Sequence, residues 1–486
     1  GAASDGDTVV IYEGVYYEQV GAWNRELTIG SLLMFEPEQN ELIELTILDG
    51  DSSQQIFSID GSQIEIIGLT LQNGYSDNWG GAIACGVYSD LTIKHSIIKN
   101  SYAGQGGGAI NSNRSKLTLK NVQFIENSSE SAGGVNAGST DENYTAEISI
   151  TDCEFISNTA LNGGGGASLG WGTANVELAN TKFVENHAGY YGGVGIWSDF
   201  SVDSCYFMNN TTEYYAAGGG FSSGASGTIS NSVFANNIAN LVGNDEVNSG
   251  GLTIWADADV NVVNCTFVGN SAASGGGLSV GNGGHATVRN SIFYNNSPDQ
   301  LGLEQWEGNC ASLDVDYCLV EEGADSVHFD TTSCVLTWGN SNLDANPLFC
   351  DPDSGDYTLA ENSPCIGSGE NGANMGAFDE GCAAILSTYT DAIPFQYVIH
   401  HNYPNPFNPV TTLRYDLPEQ ANVNIIIYDM LGRQVRTLLN QTQDAGYRSV
   451  IWDATNDYGK PVSAGVYLYK IQAGEYISTK KMVLLK

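Results

Sequence analysis

Asn121-Val-Gln-Phe-Ile-Glu-Asn127, Asp152-Cys-Glu-Phe-Ile-Ser-Asn158 and Asn180-Thr-Lys-Phe-Val-Glu-Asn186 are one phrase written three times. Each opens on a polar corner, reaches an aromatic three residues later and closes on asparagine. The aromatic-to-Asn half recurs as Phe207–Asn210, Phe234–Asn237, Phe267–Asn270 and Phe293–Asn296, and Ile97–Asn100 and Thr70–Asn73 extend it backwards. The resulting row, Asn73, Asn100, Asn127, Asn158, Asn186, Asn210, Asn237, Asn270 and Asn296, has spacings of 24 to 33 residues. A glycine pair recurs in step, closed by Gly81, Gly108, Gly134, Gly166, Gly193, Gly220, Gly251 and Gly277. Between the two phrases lies a short alternating run, as in Leu91-Thr-Ile93 and Val260-Asn-Val262.

Three short strands per period, punctuated by Asn and Gly, predict one coil of a parallel β-solenoid. A single coil cannot bury its apolar side, and stacking supplies a neighbour above and below. Asn tolerates the left-handed backbone of a sharp corner, and one amide per coil can hydrogen-bond to the next as a ladder. A second corner precedes the aromatic, at Asn121, Asp152, Asn180, Asn231, Asn264 and Asn290, with Ser204 the exception. Parallel strands under about 30 residues apart without helical crossovers fit a solenoid better than a doubly wound sheet.

The chain has 486 residues, 42% of them hydrophobic, and a formal charge of −39. That charge excludes nucleic acid as the main partner, because such affinity comes from clustered Lys and Arg. It argues equally against docking on anionic lipid. No apolar run approaches the ~18 residues of a membrane span. Residues 1–400 carry 8 basic and 49 acidic side chains, whereas residues 401–486 carry 9 and 7, which predicts two modules with different roles. The chain opens at Gly1 without a charged-then-apolar leader, so an exported protein would have had its signal peptide removed or left out.

Residues 4–20, SDGDTVVIYEGVYYEQV, resemble the opening coil of the right-handed parallel β-helix, or pectin-lyase-like, superfamily. The Gly-Gly-Ala-Ile and Phe-x-x-Asn phrases resemble repeats of polymorphic outer-membrane adhesins. Residues 346–380, NPLFCDPDSGDYTLAENSPCIGSGENGANMGAFDE, are similar to the closing segment of choice-of-anchor-Q surface proteins. These likenesses imply fold and secretion; the superfamily houses lyases, hydrolases, adhesins and passive surface proteins alike.

The tail begins with Asn402-Tyr-Pro-Asn-Pro-Phe-Asn-Pro409, an extended lead-in that its prolines keep from being helix. Six alternating runs follow: Thr412–Leu417, Val423–Tyr428, Val435–Leu439, Ser449–Trp452, Gly465–Ile471 and Tyr476–Leu485. So many short strands predict a small Ig-like antiparallel β-sandwich. Tyr403 to Lys486 closely resembles the type A sorting domain of the type IX secretion system. That resemblance implies partnership with the secretion machinery through residues 403–486 and an extracellular or bacterial cell-surface location. The expected division is coils over 1–300, a Cys-rich set of terminal coils or cap over 301–382, a linker over 383–402 and the sandwich over 403–486.

Cys153, Cys205 and Cys265 stand two residues before Phe anchors and so point inward, in alternate coils about 9.6 Å apart, beyond bridging distance. Cys310, Cys318, Cys334, Cys350, Cys365 and Cys382 crowd together and are expected to form disulfides in an oxidising compartment, the pairing left open. No C-x-x-C spacing supports zinc. The Cys-rich stretch is expected to cap the last coil, whose strand edge would otherwise stand open.

No catalytic residue is proposed. Gly166-Ala-Ser168-Leu-Gly170, Gly220-Phe-Ser222-Ser-Gly224 and Gly277-Leu-Ser279-Val-Gly281 match the hydrolase elbow pattern, but no helix is expected after any of them, and all three are expected to be by-products of one repeat position. The second residue after each Gly pair should face solvent: Ile83, Ile110, Asn136, Ser168, Gly195, Ser222, Thr253 and Ser279, none able to exchange a proton near neutral pH. Between Asn121 and Val288 the only Lys or Arg is Lys182. No Asp-Asp pair and no His-Gly occurs, a departure from the polygalacturonase pattern, and only Gly14-Val-Tyr-Tyr-Glu18 resembles pectin methylesterases.

The surface offers aromatics instead. Trp171, Tyr190, Tyr191, Trp197, Tyr214, Tyr215 and Trp255 are expected to form a stripe at coil spacing for glycan stacking or protein contact; the bland alternative is that they fold back and pack over loop ends. No cofactor is expected, with calcium at Asp49/Asp51, Asp257/Asp259 or Asp351/Asp353/Asp356 the one candidate, although turn chemistry alone accounts for those residues. Three classes follow. The leading one is a secreted non-catalytic adhesin or structural filament subunit that contacts copies of itself or extracellular glycans. The others are a polysaccharide lyase or glycoside hydrolase with a loop-borne site, and a glycan-binding module without turnover.

Overall fold

The computed structural model describes residues 3–239, 249–331, 333–385, 397–399, 402, 407, 409–474 and 476–485. The 383–402 linker and the proline-rich lead-in therefore lie largely outside the described residues. Two compact units result, Gly1–Ile385 and Leu386–Lys486.

The first unit is a parallel β-solenoid. Among the described residues its Gly-Gly strands form a sheet of 12, from Val20–Trp23 to Val327–Phe329, here called the floor sheet. A 23-stranded sheet runs from Asp7–Val10 to Val335–Trp338 and bends at the corner in each coil. A third sheet holds seven two-residue strands, Tyr75–Ser76 to Ile238–Ala239. Coils thus continue well past residue 300.

The corner residues Asn121, Asp152, Asn180, Ser204, Asn231, Asn264 and Asn290 all take φ between 48° and 55°, the left-handed region that Asn and Asp tolerate. The ladder asparagines do not. There the left-handed residue is the one before, at Glu126, Ser157, Glu185, Asn209, Asn236 and Asn295, with φ of 53° to 56°. Asn127, Asn158, Asn186, Asn210, Asn237, Asn270 and Asn296 instead turn inward, are at most 6% exposed, and bond through Nδ2 to the next Oδ1 at 2.9–3.0 Å. Each second Nδ2 hydrogen goes to a carbonyl of an earlier coil, as from Asn158 to Phe124 at 2.9 Å. The row ends on Gln300 Oε1, 2.7 Å from Asn296 Nδ2.

Asn73 and Asn100 stand outside this ladder, a correction to their expected place. Ile98, not Ile97, lies opposite Phe124, and Leu71 lies opposite Ile98. The row position therefore falls on Ser101, whose N–H donates to Asn127 Oδ1, and on Gly74, whose N–H donates to Ser101 Oγ. Asn73 and Asn100 occupy the left-handed corner itself.

Inside the stack the rings of Phe124, Phe155, Phe183, Phe207, Phe234, Phe267 and Phe293 lie 4.5–5.1 Å apart and within 11° of parallel. Cys153, Cys205 and Cys265 face the same interior and alternate with Thr181, Ser232 and Ser291, whose hydroxyls accept the cysteine N–H groups. Burial pushes these thiols up to about 12, so they are inert packing groups.

Cys318 continues that interior row, its thiol likewise pushed up to about 12 by burial, and is no disulfide candidate. One bridge forms, Cys350–Cys382, while Cys310, Cys334 and Cys365 carry free thiols. The stretch expected as terminal coils or cap divides: Leu301–Leu303 to Val335–Trp338 add the last coils. The rest runs back along the solenoid's side as a strap, burying outward-facing Val233, Ile292 and Leu319 under Phe349, Leu359, Cys365 and Met375. Its backbone is held by Asn290 Oδ1, which accepts the Glu370 N–H, and by Thr266 Oγ1, which accepts the Ala377 N–H.

The second unit pairs Val398–Ile399, Thr411–Leu417 and Gly446–Trp452 in one antiparallel sheet, and Ala421–Asp429, Gln434–Gln443, Gly465–Ala473 and Tyr476–Leu484 in another. Leu413, Tyr415, Ile425, Ile427, Trp452 and Tyr469 fill its core.

Candidate functional site, a groove on the floor sheet

Period two sends the first and third residues of each floor strand inward and leaves the second outside. In register, that outward row reads Ala84, Asn111, Asn136, Ser168, Gly195, Gly220, Thr253, Ser279, Gly302 and His328. Ile83 and Ile110, expected outside, are core residues, because Ala82 and Ala109 stand where other coils have the second glycine. Ser222 also leaves the row: the run Gly218-Gly219-Gly220 hides the true pair position, and Gly220 faces out instead. The three G-x-S-x-G matches therefore do not share one position, and among the described residues no helix follows any of them.

Over the central coils this row floors a groove of about 870 Å3. Asn111, Asn136 and Ser168 form the floor. Trp79, Ser131, Asn162 and Tyr190, from loops entering the floor strands, make one wall, and Asn113, Thr140, Trp171, Trp197 and Ser223, at the strand exits, make the other. Asn136 Nδ2 donates to Asn111 Oδ1 at 2.8 Å. Ser168 Oγ accepts the Gly164 N–H and donates to the Ser131 carbonyl, both at 2.9 Å, so its proton is committed to backbone and no imidazole adjoins it. Among the described residues the lining contains no carboxylate, imidazole, ammonium or guanidinium group. Arg114 follows Asn113, but its guanidinium turns to Thr140 Oγ1 at 3.0 Å and to Asp141 at 3.9 Å.

The aromatics expected as one stripe divide. Trp171, Tyr190 and Trp197 line the groove, joined by Trp79, which was not among the expected stripe. Tyr191 is only 9% exposed: its ring presses on Gly195 and Gly220, where any side chain would collide with it, and burial raises its phenol pKa. Tyr215 packs against Tyr190 and Tyr191, and Tyr214 lies against Tyr190. Trp255 meets Trp306 edge-on at 6.2 Å, over Gly281 and away from the groove lining.

Past the groove the flank changes character, which corrects the expectation of wholly neutral chemistry. Glu304 lies over Gly302 with Ser274 Oγ donating to its Oε1 at 2.7 Å, and burial raises its pKa. Burial raises Asp299 as well, and His328 Nδ1 stands 3.9 Å from Asp299 Oδ2. Acids and a base do gather here, outside the groove lining.

Among the described residues no three His, Cys, Asp or Glu side chains gather in a way that could hold a metal ion. Burial pushes the Asp49 carboxyl up, but hydrogen bonds from Gln72, the Asp51 N–H and Asn73 outweigh it and leave the pKa lowered. Among the described residues no helix is long and apolar enough to cross a membrane.

A family model described as FlgD Ig-like domain matches residues 409–475, within the second unit. Similar solved structures include dimeric latent PorU from Porphyromonas gingivalis, 26% identical over 18% of this chain and 9% of that one, with a TM-score of 0.17. Another is PorZ of the same organism, titled an essential surface component of the type-IX secretion system, 21% identical over 18% of this chain and 11% of that one, with a TM-score of 0.14. The matches span about a tenth of those two chains, and neither carries an argument about this chain's architecture or role. No curated protein matches.

Proposed function

We propose that this chain is a surface-displayed, non-catalytic adhesin whose solenoid binds a glycan in the floor groove. The observation that carries this reading is the lining itself: three indoles and a phenol beside amides and hydroxyls, with no acid, base or cation among the described residues. Aromatic faces stack on the C–H faces of sugar rings, and fixed amides bond their hydroxyls. Proton transfer, which cleavage of a glycosidic bond requires, has no agent there.

Export through the type IX machinery is part of the proposal. It rests on the resemblance of residues 403–486 to type A sorting domains, and an Ig-like match over 409–475 is compatible with it. The Cys350–Cys382 bridge suits an oxidising compartment. A filament of stacked copies is the competing structural role, and a monodisperse monomer in light scattering at high concentration, with and without calcium, removes it.

The test is a glycan array with the whole chain and with Trp171→Ala and Trp197→Ala. Each variant should bind about tenfold more weakly, a loss of roughly 1.4 kcal/mol, at unchanged melting temperature. Release of new reducing ends or unsaturated sugars, or binding indifferent to both substitutions, would sink the reading.

A further inference from the structure

We infer that the groove selects an uncharged, extended polysaccharide lying along the solenoid axis; the inference rests on the glycan reading above. Direction comes from the register. Asn111, Asn136 and Ser168 are paired neighbours in successive coils, so the floor runs along the stack. Lining residues begin with Trp79, before the strand Ile83–Cys85, and end with Ser223, after Gly219–Phe221. Those strands are five steps apart in the sheet, about 24 Å at ~4.8 Å per step. A linear chain several sugars long fits that run.

Flatness comes from glycine. A Cβ at Gly106 would stand 2.8 Å from the Trp79 ring, at Gly138 2.7 Å from Trp171, and at Gly195 2.5 Å from Trp197. The three indoles therefore lie against bare backbone with no side chain beneath them, which leaves room for an extended pyranose chain to stack on them.

Neutrality comes from the polar groups. Asn136 Nδ2 bonds Asn111 Oδ1, which leaves Asn136 Oδ1 to accept and Asn111 Nδ2 to donate. A hydroxyl answers both roles, whereas a uronate or sulfate oxygen only accepts. An anionic chain would also shed water with no cation among the described lining residues to meet it, against residues 1–400 carrying 49 acidic side chains to 8 basic ones.

Affinity electrophoresis of the whole protein through gels holding galactomannan, xyloglucan or polygalacturonate tests this. Retardation by a neutral polymer is expected, unchanged between roughly 0.1 M and 1 M salt, where the screening length falls from about 10 Å to about 3 Å. Leu161→Lys, an exposed position beside Asn162 and outside the lining, should keep that retardation and gain salt-sensitive retardation by polygalacturonate. Parent protein retarded by polygalacturonate and released by salt overturns the neutral class while leaving glycan binding standing. Retardation by none of the three, together with a blank glycan array, overturns both.

Discussion

The inward Asn row and the outward floor row run through the same coils, one turn of chain apart, and obey opposite rules. Inward, seven coils repeat a single residue from Asn127 to Asn296. Outward, Asn111, Asn136, Ser168, Gly195, Gly220 and Thr253 hardly repeat at all. The contrast follows from who satisfies whom. A buried amide has no water, so its donors must find the next coil's acceptor, and an identical residue there supplies it. Outward groups are buried too, Asn111, Asn136, Ser168 and Thr253 being at most 9% exposed. Loops that differ from coil to coil meet them, as Gly164 and Ser131 meet Ser168 Oγ, so no identical residue is needed in the next coil. Repetition thus marks what the fold needs, and its absence marks where chemistry is free to vary.

The largest effect should come from breaking the inward row. Asn186 donates to Asn210 Oδ1 and to the Phe155 carbonyl, and its own Oδ1 accepts from Asn158 Nδ2 and N–H. Asn186→Ala strands several buried partners at once, each costing about 1–3 kcal/mol, so a loss of at least ~4 kcal/mol is expected. Asn100→Ala, at an exposed left-handed corner, should cost only about 1–2 kcal/mol. Urea midpoints of the whole chain separate the two; equal losses would mean that the ladder is decoration.

Much of the inward row was legible because a stacked position must carry the same residue, and repetition is visible without coordinates. Slips occurred where local sequence offered two equivalent frames. Ile97 and Ile98 are both aliphatic, so the anchor in that coil was read one residue early, and Gly218-Gly219-Gly220 allows two glycine pairs. Tyr190 and Tyr191 are indistinguishable in sequence, yet one lines the groove and the other lies buried on Gly195 and Gly220. Glu304 and His328 escaped notice because Asp299-Gln300 stands where a glycine pair would have announced the strand Leu301–Leu303. The strap is a tertiary event: nothing local to Met375 tells that it will lie on Ile292.

That strap sharpens the contrast, because Val233, Ile292 and Leu319 are outward residues made apolar by what covers them. Cys350 and Cys382, 32 residues apart in sequence, tie its base. Closing a loop of that length stabilises by roughly 3–4 kcal/mol in the chain-entropy account. Cys350→Ser should lower the melting temperature and speed amide exchange at Ala377, whose N–H is held by Thr266 Oγ1, while Asn158 and Asn186 stay protected. Uniform loss of protection along the coils would show that the strap is integral to the ladder rather than laid upon it.

The smallest effect probes the end of the outward row. Burial, the main cause, raises the Glu304 pKa above its ordinary 4.5, and Asp330 adds to the rise while Ser274 and His328 oppose it. The folded protein therefore keeps this proton over a range in which the unfolded chain has already released it. Stability must fall as pH rises from the ordinary Glu range through the folded value, and is fully retained only below that range. Glu304→Gln carries no charge to desolvate, and its Oε1 can still accept from Ser274 Oγ. Its unfolding midpoint should match the parent's in acid and exceed it at neutral pH, with the difference opening between the two. A carboxylate kept for stability would give the reverse, a variant weaker at neutral pH. Should Glu304→Gln be the weaker protein there, the end of the flank holds a charge that something in the molecule rewards, and the division between a neutral groove and an inert acidic end would have to be redrawn around Glu304, Asp299 and His328.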